Sequence, residues 1–292
     1  MSQLFEALQR SESERLGALS PSSAAELVQV AEQQLSPAEA PQEIGGCRPL
    51  PLAPSPESRL LSLTHMGSLG AEKLRLLALR LKNLRDTRKL KTVLITSTMP
   101  EEGKSLISAN LAVTLARSRH LKTLLLECDL RRPTLSQVLT GRNLPGLSEV
   151  LQSNRSAHEL MYETQPAGFF FLPAGAPPHN PLELMQSNRF QQIMQQLSAS
   201  FDWILIDSPP VLPLADTSLL MRFSDGVLMV AREGVTEKKP MQKAIEVIDP
   251  ALLLGVVLNG STNTDHENYY QRYATGTESL ETDFEAEASP KN

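Results

Sequence analysis

Cysteine is nearly absent from this chain: 292 residues hold two, Cys47 and Cys128, too far apart for metal-ligand spacing or a disulfide framework. Long hydrophobic runs are missing as well. Apolar stretches stop at strand length, far short of the ~20 residues a membrane-crossing helix requires, and no segment reads as a signal peptide. Excess positive charge is also lacking, since 28 Lys and Arg face 33 Asp and Glu for a net charge of −5. That balance argues against a general nucleic-acid binder. A hydrophobic content of 41% suffices for one good core rather than two. Together these absences predict a soluble, cytoplasmic protein.

What is present is concentrated at residues 93–105, VLITSTMPEEGKS. An apolar strand runs into a loop that closes on Gly103-Lys104-Ser105, and a helix follows. Such an order suits a triphosphate: loop and helix N–H groups point at the phosphates, where the helix dipole favours negative charge. Lys104 reaches the β- and γ-phosphates in this reading, and the Ser105 hydroxyl takes one Mg²⁺ position. Gly103 keeps a Cβ out of the approach. The loop is imperfect, because GxxxxGK[ST] needs glycine where Thr98 stands.

Two further apolar runs end in carboxylates. Leu124 to Leu126 lead to Glu127 and Asp129, and Trp203 to Ile206 lead to Asp207. At the C-terminal ends of parallel strands these groups would lie beside the phosphate loop. Asp207 suits Mg²⁺, directly or through water; Asp129 could do the same, or take a proton from a nucleophile.

Composition divides the chain into three zones. Residues 1–66 start with an amphipathic segment (Leu4, Phe5, Leu8) that docks on a partner, a membrane surface or its own domain. A helical stretch near Ala24–Gln34 follows, then a Pro-rich linker without a core (Pro37 to Pro56). Residues 67–264 alternate helix and strand patterns: helices at 71–85, 104–117 and 181–196, and strands at 92–96, 123–127, 169–172, 203–207, 227–231 and 255–258. This predicts an α/β domain with a doubly wound, mostly parallel sheet. Residues 265–292 carry Tyr269, Tyr270 and Tyr273, three of the four tyrosines, and then five acids (Glu278, Glu281, Asp283, Glu285, Glu287) against Lys291. The composition predicts a disordered tail. A flexible, phenol-bearing segment tethered to an ATP site is also what a self-modifying kinase needs.

The set TSTMPEEGKS, LLLECDLRRP, FLPAGAPPHNPLELMQS and WILIDSPPVLPLAD, with the terminal tyrosines, resembles the bacterial tyrosine kinases of polysaccharide export over about residues 70–273. These are P-loop NTPases of the partitioning-ATPase type. The resemblance implies ATP and Mg²⁺ as cofactors and transfer of the γ-phosphate to Tyr269, Tyr270 and Tyr273 between subunits. It implies nucleotide contacts from Thr98, Pro100, Glu101, Glu102, Gly103, Lys104, Ser105, Leu106 and the adenine-contacting Asn259. Ser105, Asp207 and Asp129 would serve the metal; Lys104, Asp129, Glu127 and Asp207 would serve catalysis, with Asp129 orienting or deprotonating the phenol and Glu127 supporting it or the metal. A transmembrane polysaccharide co-polymerase as activator, a cognate tyrosine phosphatase, self-assembly into a ring and a place at the inner face of the membrane are implied too.

Three departures stand out. Glu101 replaces the glycine of the family's PGEGKS loop. Glu127 replaces the first of two aspartates. The helix motif E-x-x-R-x-x-R keeps Glu72 and Arg75 but has Ala78 last. Two other readings remain: a partitioning-type ATPase, whose signature lysine is Met99 here, or a catalytically weak nucleotide-binding regulator.

Overall fold

The computed structural model describes residues 47–55, 59–118, 120–212 and 215–261. The amphipathic start, the 24–34 segment, the tyrosine cluster and the acidic tail lie outside the described residues.

Eight strands form one sheet in the order β1-β4-β5-β3-β6-β2-β7-β8. They are β1 (Arg48–Pro51), β2 (Thr92–Ser97), β3 (Thr123–Glu127), β4 (Tyr162–Gln165), β5 (Phe170–Leu172), β6 (Trp203–Asp207), β7 (Gly226–Arg232) and β8 (Leu253–Asn259). Every pairing is parallel except β4 with β5. β2, β3 and β6 are buried along their whole length, as near-continuous apolar runs require when helices cover both faces. Their side chains alternate between two cores: Leu94, Leu124 and Ile206 enter one, while Val93, Leu125 and Leu205 enter the other.

The second core is covered by α1 (Leu61–Thr64), α2 (Leu69–Thr87), α3 (Lys104–Ala116) and α4 (Leu135–Thr140). In α2, Ala71, Leu74, Ala78 and Leu81 form the buried stripe, and the Ser68 hydroxyl caps the start by accepting from Ala71 N at 3.2 Å. The first core is covered by α5 (Leu147–Leu151), α6 (Pro181–Gln186), α7 (Asn188–Ser200), α8 (Ala215–Met221) and α9 (Lys238–Val247).

Two expectations need correction. The single helix over 181–196 is two helices, because Ser187 is extended (φ −67°, ψ 150°) and caps α7 by accepting from Phe190 N at 3.2 Å. The Pro-rich stretch is not all linker. Residues 48–51 pair with β4, and Leu50 is buried, worth about 1.5–3 kcal/mol. Pro49 and Pro51 are tolerated because β1 is an edge strand. α1 is then pinned to α3, where Ser62 N donates to Asn110 Oδ1 at 2.8 Å.

Candidate functional site

The chain leaves β2 toward β3 on one side of β6, then leaves β6 toward β7 on the other side of β2. This reversal opens a crevice at the strands' C-terminal ends, where open α/β sheets bind ligands. Register places Glu127 opposite Asp207, and Asp207 opposite Ile95. The sequence-predicted carboxylates therefore flank the phosphate loop.

Thr98, Pro100, Glu101, Glu102, Gly103, Lys104, Ser105 and Leu106 run as one segment from β2 into α3. Gly103 has φ +96°, and a Cβ there would sit 2.1 Å from Asn259 Nδ2. Glu101 also takes a left-handed backbone, φ +68°, with its side chain exposed. A glycine would hold that conformation without steric cost. Glu102 does the opposite and turns inward at 1% exposure. Its carboxylate accepts from Met99 N at 3.0 Å and from the Thr236 hydroxyl. Asn259 Nδ2 donates to the Glu102 carbonyl at 3.0 Å, and Arg232 Nη1 donates to the Glu101 carbonyl at 3.3 Å. The loop is thus braced from the ends of β7 and β8. Asn259, expected against the base, here holds the loop. The Thr98 hydroxyl is directed to Met241 Sδ at 3.1 Å.

Beneath the loop, Lys104 Nζ lies 2.9 Å from Asp129 Oδ2 and 3.3 Å from Ser105 Oγ. Ser105 Oγ donates to Asp207 Oδ2 at 2.7 Å, and Ser108 Oγ donates to Asp207 Oδ1 at 3.2 Å. Burial works to lower the Lys104 pKa, but Asp207, Asp129 and Glu127 outweigh it and the ammonium is pushed up. Burial also pushes the Asp207 carboxyl up, against the opposing pull of Lys104 and the Ser105 hydroxyl. Lys104, Ser105, Asp129 and Asp207 are therefore one hydrogen-bonded cluster.

Glu127 is a different matter. It is fully buried and committed to backbone: Oε1 accepts from Thr134 N and Leu135 N, both at 2.7 Å, and Oε2 from Ala174 N at 3.1 Å. Burial pushes its carboxyl up to about 7. Such a group positions the loops after β3 and β5; the expected catalytic role is replaced by a structural one. Reasoning from sequence also missed the fork between Arg131 and Asp216, with Nε to Oδ2 at 2.6 Å and Nη2 to Oδ1 at 3.2 Å. Asp216 is buried and holds the loop that carries Asp129. Arg131 beside Asp129 was the available signal. Nothing in the sequence marked Thr236 or Arg232.

The residues present fit a nucleotide with Mg²⁺. A left-handed glycine opens the loop, the first N–H groups of α3 lack intrahelical partners, and a hydroxyl and a carboxylate oxygen stand 2.7 Å apart as hard donors. Tyr269, Tyr270 and Tyr273 lie outside the described residues. In α2, Glu72 and Arg75 pair, whereas Ala78 is buried in the core.

Residues 91–249 match the AAA domain family AAA_31. The chain is 33% identical over 215 residues to "Tyrosine-protein kinase YwqD" of Bacillus subtilis, covering 73% of this chain and 90% of that protein. Three longer relatives, also named tyrosine-protein kinases, are matched over 30% or 31% of their length. Among solved structures, the chimerical protein CapA2B2 aligns at TM-score 0.64 and 31% identity over 70% of this chain and 90% of that one. The kinase domain of Escherichia coli tyrosine kinase ETK aligns at TM-score 0.61 and 28% identity, over 69% and 79%.

Proposed function

This chain belongs to the bacterial tyrosine-protein kinases, and on that footing we propose that it transfers the γ-phosphoryl group of ATP to its own Tyr269, Tyr270 and Tyr273. The observation that supports this most is the cluster of Lys104, Ser105, Asp129 and Asp207 under the phosphate loop. A phenol of pKa about 10 is a poor nucleophile at neutral pH. Asp129 takes its proton as the phenol oxygen bonds to the γ-phosphorus and the bond to the departing ADP breaks. Lys104 turns from Asp129 toward the phosphates and offsets charge developing there. Ser105 and Asp207 would hold Mg²⁺, which when bound would neutralise phosphate charge. Asp216 acts through Arg131 to keep the Asp129 loop in place. Asn259 keeps the phosphate loop open at Gly103.

The motifs shared with the polysaccharide-export kinases support a role in regulating polymer synthesis and export. They also support a membrane-embedded activator, a cognate phosphatase, self-association and action at the inner face of the membrane. Among the described residues, no helix is long and apolar enough to cross a membrane, so the activator would supply the attachment. Ring assembly through α2 would proceed without the third motif residue, since position 78 faces the core.

Intact mass of the wild type and Lys104→Met, before and after phosphatase treatment, tests the proposal. Phosphates on the wild type alone, mapping to Tyr269–Tyr273, are expected. A wild type that hydrolyses ATP yet stays unmodified, even with its activator present, would make it an ATPase or a scaffold.

A further inference from the structure

Next to the catalytic cluster lies a groove of about 470 Å³ that the phosphoryl-transfer chemistry does not use. Its walls are Pro133, Ser136, Leu144, Pro145, Ala176 and Pro177. Pro133 follows Asp129 by only four residues, so the groove begins within ~14 Å of that carboxylate. Its shape is fixed in advance. Glu127 pins both the wall after β3 and the wall after β5. Glu149 closes the floor, accepting from Gly146 N at 2.6 Å and from Ala176 N at 3.0 Å. Gly175, at φ +85°, leaves room for that carboxylate, which a Cβ would meet at 2.0 Å.

At Pro145 the groove runs into a second one of about 360 Å³, lined by Arg48 and Arg155. Arg142 stands close by: it and Arg48 both act on the Tyr162 phenol, which burial nevertheless pushes up. Arg48, Arg142 and Arg155 are exposed, and none joins an ion pair among the described residues. Two carboxylates stand among these three arginines, Glu149 as above and Glu159, which lines the second groove and accepts from Ser156 N at 3.0 Å, so the rim is basic by one charge. An apolar slot with a basic rim therefore waits beside the phosphoacceptor side of the site.

The chain itself carries the complement. Within the acidic run at 278–287 stands one aromatic residue, Phe284, flanked by Glu281, Asp283, Glu285 and Glu287. We propose that the slot is a docking site for this segment, with Phe284 between the prolines and the flanking acids against Arg48, Arg142 and Arg155. A phenyl ring suits the slot by size and by the area it buries. Phe284 lies eleven positions after Tyr273, up to ~36–40 Å of extended chain, more than enough to reach back to Asp129. Docking would hold the tyrosine cluster at high effective concentration near the base without placing any one phenol. The inference deepens the phosphoacceptor reading of the tail and rests on it for its purpose.

The test uses the full chain with benzoylphenylalanine at position 284. Irradiation should crosslink it to peptides spanning 133–149 or 175–177, within one chain or between two. Arg142→Glu with Arg155→Glu should cut the yield at least fivefold, as should high salt. Phe284→Ala should slow phosphotyrosine formation about tenfold at low protein concentration, with ATP hydrolysis unchanged. Crosslinks elsewhere, or a yield indifferent to both arginines, overturn the docking site. Crosslinking needs no phosphoryl transfer. A crosslink to these walls in a chain that never gains phosphate would uphold docking and overturn the kinase reading instead.

Discussion

Lys104 Nζ stands 2.9 Å from Asp129 Oδ2, so the lysine of the phosphate loop is held by the carboxylate assigned to the phenol. Both side chains are close to fully buried, and Asp129 keeps its second oxygen on Arg132 N at 3.1 Å. In the proposed reaction one cation would thus link the phosphate loop to the base.

Two substitutions separate these duties. Lys104→Met should lower phosphotyrosine formation at least ~100-fold and cost on the order of 3 kcal/mol in urea unfolding, because it strands the buried Asp129 carboxylate without its counter-charge. Asp129→Asn should leave nucleotide affinity nearly unchanged while transfer falls by a similar factor. Equal loss of both, measured by nucleotide fluorescence titration and phosphotyrosine rate, would reassign Asp129 to the metal.

Glu101→Gly should improve the enzyme. The residue sits at φ +68°, where a side chain costs roughly 1–2 kcal/mol that glycine escapes. Added freedom in the unfolded chain takes back about 0.4–1 kcal/mol, so stability should rise by roughly 0–1.5 kcal/mol. Nucleotide binding should tighten several-fold, since a carboxylate leaves the phosphate loop. A variant that binds nucleotide more weakly would mean the charge serves another contact.

The central strands were legible in the sequence because their residues are apolar without interruption. β3 and β6 were bounded to the residue, and the carboxylates at their ends fell where strand geometry puts them. Edge elements were not. β1 reads RPLP, with only Leu50 buried, and prolines there look like linker until β4 supplies the pairing. Site residues near in sequence, such as Lys104 and Ser105, were legible too. Braces from afar were not: Thr236 meets Glu102 across 134 positions, and no local pattern encodes that meeting. Glu127 was misjudged because a carboxylate at a strand end looks the same whether it faces solvent or three backbone amides.

Gly103→Ala should remove nucleotide binding through two separable effects. Its Cβ would meet Asn259 Nδ2, and its φ of +96° is strained for any side chain. Asn259 cannot simply swing away, because its amide holds the Glu102 carbonyl. Adding Asn259→Ala to Gly103→Ala should recover part of the loss, leaving about 1–2 kcal/mol of backbone strain. A double-mutant cycle on nucleotide affinity would show this coupling, and strict additivity would refute the contact.

Glu127 should make stability depend on pH in the sense opposite to most carboxylates. Its unfolded carboxyl titrates near 4.5 and its folded one at about 7, raised chiefly by burial and partly offset by three N–H donors. Between those values the folded state binds more protons than the unfolded one. The group's contribution is therefore complete below about 4.5 and is lost as pH rises through 7, by about 3 kcal/mol across the window. Glu127→Gln removes the titration and also leaves at least one backbone N–H facing an amide NH₂, a penalty of about 1–3 kcal/mol at every pH. Urea midpoints at pH 5, 6, 7 and 8 should show the wild type's advantage over the variant shrinking steadily. A constant difference would mean that the three donors hold Glu127 ionised throughout. In that case Glu127 would contribute the same stability at every pH from 5 to 8.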